Sequence, residues 1–505
     1  MAIPPNAWPA FLGQGASTID PASIPDHWGP TENIAWQASL PGKGQSSPVI
    51  WGDHVFVTSI EGTMKETCHI VALSLTDGRE LWRTSLDSVT PVRSTYTQSR
   101  SAPTPTVDSE RVYVFFETGA VAAYSHSGKL EWKRALPEEY GEFESTIGLA
   151  SSPILVDNKL ILLIDHEGPS YLLALNCETG ETCWKTDRTS RSSYASPAIV
   201  PVAGKPQIVC SSSGSVDGYS PSTGEQLWTY EENVGGNRTG APVAVADGVF
   251  AVAASPGMHN EREEQAKSTN FLMKVDFENG VYTPRVLWYA KDAMSAYNSP
   301  LIYRGYGYWI NKSGVVYCFN AQTGENVYTK RSGGVCWTTP VGIGDRVYLF
   351  GKDGLTTVIA TGPEYKVVCE NQLWDPAVAG RDARASRGMN MGNHGEHGSD
   401  SKSDGATSAT PNAGPLNENS PDAAPSSGRS QSSLDQSVDQ AGQDNKRASQ
   451  RPSSADRRGP TAQLTESEQQ EAIRFADPVQ YGVAIVNGNL VIRTGDRVYC
   501  IRRPE

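Results

Sequence analysis

The sequence predicts an all-β fold, an eight-bladed β-propeller of four-stranded antiparallel blades, and three observations carry that prediction. The first is a recurring turn: a small residue, a Gly and, a few residues on, an aromatic. It reads Asp77-Gly78…Trp82, Ser127-Gly128…Trp132, Thr179-Gly180…Trp184 and Thr223-Gly224…Trp228, then weakens to Asn279-Gly280…Trp288, Thr323-Gly324…Tyr328 and Thr361-Gly362…Trp374. Successive aromatics stand 50, 52, 44, 60, 40 and 46 residues apart. A period in that range is one supersecondary unit copied many times.

The second observation is what each unit contains. In the third, Ser152-Pro153 opens the apolar run Ile154-Leu155-Val156, and Asp157-Asn158-Lys159 turns the chain into Leu160 to Ile164. Tyr171 to Asn176 follows, then the Thr179-Gly180 turn and Thr182-Cys183-Trp184-Lys185. Four short runs joined by tight turns make an antiparallel meander, and their Val, Ile, Leu and Tyr favour a pleated surface. Eight first-hairpin turns can be counted, from Trp51-Gly52-Asp53 to Asn487-Gly488-Asn489. Seven of the eight opening strands are expected to begin at a Pro, at 48, 103, 153, 197, 242, 300 and 340, with Val483 in the eighth. Pro is tolerated at the first residue of a strand. A β-solenoid repeat would be shorter, and helical repeats would space their apolar residues by three and four.

The third observation is at the ends. The eighth unit stops at Tyr499-Cys500-Ile501-Arg502-Arg503 after three strands, and Asn33 to Leu40 is an orphan strand with Trp36 in the aromatic position. Residues 33–40 are therefore expected to complete the last blade, pairing the two ends and removing a free edge.

Composition narrows the function. The 505 residues carry a net charge of −13, which argues against nucleic acid as a partner. No run of 18 apolar residues predicts a transmembrane helix. The first residues, Met1-Ala2-Ile3-Pro4-Pro5-Asn6-Ala7-Trp8, lack the basic and apolar regions of a signal peptide, so compartment stays open between cytoplasm and, if the start lies upstream, the cell envelope. The eight Cys form no Cys-x-x-Cys or vicinal pair; Cys177 and Cys183 flank one turn and could be cross-strand neighbours. From about Ala379 to Thr465, Ser, Asp, Gly, Asn, Gln, Ala and Pro dominate and aromatics vanish. This stretch is expected to be a disordered insertion, either a tether for a partner or filler in a tolerant loop. The expected organisation is thus 1–378 (closing strand and blades 1–7), 379–465 (insertion) and 466–505 (return segment, with a short helix over 466–475, and blade 8). The His and Met of Met389 to His397 could form a weak copper or nickel site, or be an incidental cluster; no metal site is assigned.

The unit Ala174 to Trp184 resembles the tryptophan-docking repeat of pyrroloquinoline-quinone (PQQ) propellers, as do Tyr219 to Trp228 and Cys318 to Tyr328. The resemblance covers nearly the whole chain outside the insertion. That family contains quinoprotein alcohol dehydrogenases, BamB-like scaffolds of outer-membrane assembly and many bacterial paralogues. Trp8 to Gly13, Glu32 to Trp36 and Ser46 to Asp53 look most like paralogues common in planctomycetes. The resemblance implies a structural role for Trp36, Trp82, Trp132, Trp184, Trp228, Trp288, Tyr328 and Trp374, each packed between neighbouring blades near the Gly turn of the next. It leaves three functional readings. A BamB-like binding or assembly scaffold needs no cofactor and implies a protein partner and a monomer. A PQQ-dependent dehydrogenase would need PQQ, Ca²⁺ on carboxylate and amide oxygens and a carboxylate base; the vicinal disulfide typical of the alcohol dehydrogenases is missing. No catalytic residue is assigned. The third reading is a small-ligand site on the axis. The segments leading into the innermost strands should meet there, among them Arg93 to Arg100, Glu144 to Gly148, Arg191 to Tyr194, Gly236 to Gly240, Ala296 to Asn298 and Val335 to Thr338. Arg100, Tyr194, Arg238, Asn298 and Trp337 are the candidates for an anionic or aromatic ligand; alternatively these groups satisfy one another and water.

Overall fold

Eight antiparallel meanders follow one another in the computed structural model, which describes residues 4–375 and 480–504 apart from 14, 16, 20–23, 91–98, 146, 233, 258–261 and 296. The insertion expected over 379–465, its His/Met cluster and the helix expected over 466–475 lie outside the described residues. Blade 1 is Val49–Trp51, His54–Glu61, Thr67–Ser74 and Glu80–Asp87. Blade 3 is Ile154–Val156, Lys159–Ile164, Ser170–Asn176 and Thr182–Arg188. The other blades repeat this order, opening at Thr106–Val107, Ala198–Val202, Val243–Ala246, Leu301–Tyr303 and Val341–Ile343. Blade 8 takes Gly482–Val486, Asn489–Arg493 and Arg497–Ile501 from the C-terminal end, and its fourth strand is Ile34–Ser39. The ring closes by the N-terminal strand that the sequence predicts, in the register Ala38↔Val498 and Trp36↔Cys500.

The burial pattern explains why these residues make blades. The two middle strands of blade 3 are buried almost throughout, as their continuous apolar runs require, whereas Thr182–Arg188 alternates exposed and half-buried positions. The core therefore lies between blades. Tyr113, Phe115 and Val121 of blade 2 pack with Leu160, Leu162 and Leu173 of blade 3. The opening strands of successive blades touch one another, blade 4 to 5, 5 to 6, 6 to 7, 8 to 1 and 1 to 2, so they surround the axis.

At five junctions an indole on one outer strand covers the Gly turn of the following blade. A Cβ on Gly78, Gly128, Gly180, Gly224 or Gly324 would meet Trp36, Trp82, Trp132, Trp184 or Trp288 at 2.4–2.7 Å. Each of these glycines has φ between 72° and 86°, so both the conformation and the close approach call for Gly. The five Nε1 groups donate to the carbonyls of Leu75, His126, Cys177, Pro221 and Ala321 at 2.7–3.1 Å. Three junctions differ. Trp228 donates to Gln207 of its own blade at 2.7 Å and stacks on Phe250. Tyr328 meets Tyr365 edge-on. In blade 7 the residue paired with Val358 is Cys369, the position that Trp82 holds opposite Ala72 in blade 1. Trp374 lies beyond the strand, against Gly354 of its own blade. Blade 2 also opens two residues later than expected: its first strand starts at Thr106, so the flanking proline is Pro105 rather than Pro103.

The N-terminal segment was not legible as part of the ring. Ala7–Trp8 pairs antiparallel with Trp51 and Ile50 of blade 1, and the Pro9 carbonyl accepts from Val107 N–H and Thr106 Oγ1 of blade 2. Leu12 packs on Ala241 and Val243 of blade 5, and Thr18–Ile19 pairs in parallel with Gly342 and Ile343 of blade 7. A chain that touches the opening strands of blades 1, 2, 5 and 7 must cross the axis. It does so at the end bearing the first-hairpin turns. Further on, Trp28 stacks on Tyr348 and its backbone N–H donates to Asn371 Oδ1.

Candidate functional site: the axial mouth

The other end of the axis is built by the residues that lead into the opening strands. In seven blades they enter just before a Pro, and in five a hydroxyl there accepts the N–H of its counterpart in the preceding blade. Ser47 N–H donates to Thr104 Oγ1 (2.9 Å), Thr104 to Ser152 Oγ (3.0 Å) and Ser152 to Ser196 Oγ (2.9 Å). The series resumes with Ala241 to Ser299 Oγ (2.9 Å) and Ser299 to Thr339 Oγ1 (3.1 Å). Blade 5 offers Ala241 at this position and blade 8 offers Gly482, so neither supplies a hydroxyl. Gly482 is needed for closure: a Cβ there would lie 2.1 Å from Ser47 Oγ. Arg493, fully buried, reinforces the same seam through Ser46 Oγ and Thr58 O, each at 2.7 Å.

The five candidate residues fall into separate groups around this belt. Tyr194 and Arg238 are together: Tyr194 N–H donates to Arg238 O at 2.7 Å, and the guanidinium donates to Ser192 Oγ at 3.0 Å and Tyr194 Oη at 3.2 Å. Its carbon lies 5.1 Å from the centre of the Tyr194 ring. Arg100 is tied to Gln45 through its backbone and donates to Tyr481 Oη at 3.0 Å. Trp337 meets Tyr297 edge-on at 5.4 Å, with the Lys352 ammonium 4.3 Å from its ring centre. Asn298 is 1% exposed, and neither atom of its amide has a hydrogen-bond partner among the described residues. Residues 91–98 of the expected mouth lie outside them. Gln480, in the same condition as Asn298, was missed because the eighth unit has no opening Pro to mark its place.

Three carboxylates near the mouth are engaged by this chain's own cations. Glu117 pairs with Lys65 at 3.3 Å and accepts Ser101 N–H at 2.9 and 3.0 Å, with both side chains of the ion pair buried. Arg188 holds Asp165 at 2.9 Å and Asp217 at 3.3 Å, all three buried. Neighbouring Cys210 has its thiol pushed up to about 12 by burial. Burial lowers the pKa of His166, outweighing Glu144 and Asp165. Its Nδ1 lies 3.1 Å from the N–H groups of both Glu144 and Gly168, so it accepts from each as a neutral ring. Asp165 and His166 are thus buried structural groups. All eight Cys are free thiols, including Cys177 and Cys183. Among the described residues no three His, Cys, Asp or Glu side chains gather as a metal would need, and no helix is long and apolar enough to cross a membrane. Two surface depressions, one of about 480 Å³ beside Arg304 and Gln322 and one beside Arg134 and Thr182, sit on hairpin turns at the opposite end from the mouth.

The ring, its repeated turns and its closing strand define a PQQ-type β-propeller. The profile of the family described as outer membrane protein assembly factor BamB matches residues 29–172 and 144–330, and the chain belongs to that family. The crystal structure of BamB from Moraxella catarrhalis is similar over 94% of this chain and 98% of its own, with 12% identity and a TM-score of 0.53. A polyvinylalcohol dehydrogenase from Pseudomonas sp is 24% identical over 179 residues, 32% of this chain. The match spans only 26% of that relative's length. A europium-containing methanol dehydrogenase aligns over 74% of this chain and 87% of its own, with 12% identity and a TM-score of 0.40.

Proposed function

We propose that this propeller is a non-catalytic platform that binds another protein. The observation that carries the reading is the state of the mouth's carboxylates. A quinone dehydrogenase of this fold would hold PQQ with Ca²⁺, and calcium takes six to eight oxygen ligands, several of them carboxylate. Glu117 is paired with Lys65, and Asp165 and Asp217 share Arg188. Taking both Asp165 and Asp217 for a metal would strand a buried guanidinium, which is strongly unfavourable. The other charged groups described at the mouth are mixed in sign, with Arg100, Arg191, Arg238 and Lys352 cationic and Glu144 and Asp353 anionic, and among the described residues no three His, Cys, Asp or Glu side chains gather around one point. The three buried carboxylates, held by this chain's own cations, do not fit calcium.

The surface supports a protein partner. Among the described residues, five of the ten large apolar side chains that are exposed belong to blade 5: Val245, Phe277, Val281, Leu287 and Tyr289. Four of them lie on one hairpin, Phe271–Glu278 with Val281–Tyr289. Exposed apolar side chains gathered on one element mark interaction sites more often than scattered ones. Pro284 sits within that outer strand and lacks an N–H, which discourages open-ended strand pairing there.

The test is to add PQQ and CaCl₂ to the purified protein and follow its melting temperature and dye-linked alcohol oxidation. Neither should change. A clear rise in Tm with dye reduction would overturn the reading in favour of a dehydrogenase, since a ligand that binds the folded state must stabilise it.

A further inference from the structure

The outer hairpin of blade 5 departs from the other docking turns in a way its sequence already carries. Gly and indole stand four residues apart in Gly78…Trp82, Gly128…Trp132, Gly180…Trp184 and Gly224…Trp228, but eight apart in Gly280…Trp288. The extra residues lengthen the ladder. In blade 3 it ends one residue beyond Ala174, the partner of Trp184; in blade 5 it runs six residues beyond Leu272, the partner of Trp288, to Glu278↔Val281. Asn279 and Gly280, with φ of 52° and 85°, close it as the tight two-residue turn that Asn-Gly favours. The inner strand Val249–Val252 accompanies only Phe271 to Lys274, so Asp276 to Thr283 is a two-stranded ribbon.

The preceding blade leaves that ribbon bare. Five docking glycines lie under an indole, but a Cβ on Gly280 would meet nothing within 4 Å. Trp228, the indole on the outer strand of blade 4, is turned to Gln207 of its own blade and lies against Gly218. Phe277 and Tyr282 pair across the ribbon with ring centres 4.4 Å apart, yet Phe277 is 39% exposed. Val281, at 61%, is the most exposed large apolar side chain among the described residues. A two-stranded ribbon gains little from one such pair, and bared apolar side chains gathered on it mark a contact surface. Charge decides the occupant. At the base, Asp276 lies between Lys274 at 2.7 Å and Arg285 at 2.6 Å. At the tip, exposed Glu278 has no ion pair among the described residues. A second copy docked tip to tip would bring two such carboxylates together on chains that each carry −13. We propose that the Asp276–Thr283 tip docks a basic segment of another protein, whose apolar side chains cover Phe277, Tyr282 and Val281 and whose Lys or Arg pairs with Glu278. This rests on the reading of the propeller as a protein-binding platform and adds the place and the chemistry of the contact.

A phage-displayed library of random peptides is panned on the full chain, and the enriched peptides are synthesised and titrated against wild type and tip variants. Enriched sequences should combine aromatic or aliphatic residues with Lys or Arg. Phe277→Ser and Val281→Ser should each weaken them about tenfold, as for interface anchors. Glu278→Lys should weaken them about threefold or more and abolish the loss of affinity that added salt causes in wild type. All three positions are exposed, and an unchanged Tm in each variant shows that the ring is intact. No enrichment, or enrichment of acidic or uncharged sequences, would overturn the proposal. Basic peptides bound equally by wild type and all three variants would overturn the tip as their site while leaving the platform reading standing. Self-association in ultracentrifugation that Phe277→Ser abolishes would make a second copy the occupant and overturn it too. Failure of the platform reading itself has a separate signature, stabilisation by PQQ and Ca²⁺ with dye reduction.

Discussion

The mouth is built from one repeated segment, yet its two sides have solved the same problem differently. Around blades 3 and 4 each buried charge finds an opposite: Arg188 sits between Asp165 and Asp217, with further bonds to Ser212 and Tyr219. Arg238, entering blade 5, spends its donors on Ser192 and Tyr194. Among the described residues around blades 6 to 8 there is no buried carboxylate to organise the polar groups, and the Asn298 and Gln480 amides have no partner among them. A side whose buried charges are paired is a structural brace. A side that buries amides without partners carries their desolvation cost.

Substitutions can break this contrast in a graded way. Arg188→Met should have the largest effect, because it leaves Asp165 and Asp217 buried without their cation. Breaking a buried pair from one side costs about 3–5 kcal/mol, and a shift in the denaturation midpoint measures it. Gly482→Ala comes next. Its methyl would press on Ser47 where blade 8 meets blade 1, and overpacking of this kind costs about 1–3 kcal/mol. Amide exchange should rise in Ile34–Ser39 and Val49–Trp51 before it rises elsewhere.

A smaller effect is pH-dependent and confined to the satisfied side. Burial lowers the pKa of His166, so the folded state prefers the neutral ring. Its contribution is present above the unfolded value of about 6.5 and is lost as pH falls towards the lower folded value. Protonation would also end the acceptor role of Nδ1 towards Glu144 and Gly168. Stability should fall between neutral pH and the folded pKa, less steeply in His166→Gln, and the difference should vanish above neutrality. His126, lowered chiefly by burial and then by His54, adds a slope of the same sign at the blade 1–2 junction.

Much of the ring was legible because its signals are local. Gly with positive φ under an indole can be read from a five-residue pattern, and so could five of the eight junctions. The pattern misplaced Trp374, which follows the end of the strand, while Cys369 takes the paired position. The N-terminal crossing was not legible: Trp8 and Leu12 are two apolar residues without period, and their partners lie on opposite blades. At the mouth, sequence named Arg238, Tyr194 and Asn298 together but could not separate a satisfied guanidinium from an orphaned amide. That distinction depends on distances across blades, between residues such as Arg238 and Ser192 that stand 46 positions apart.

The unpaired state of the blade 6–8 sector is the claim on which the contrast rests, and the stability of Asn298→Leu tests it most directly. Leu keeps the branched heavy-atom skeleton of Asn, with bulkier methyl ends, and removes an amide whose burial without a partner costs about 1–3 kcal/mol. The account predicts a melting temperature equal to or above that of wild type. A loss of stability on the scale of a broken buried hydrogen bond would show that Asn298 is already satisfied within the fold, and the two sides of the mouth would then be alike.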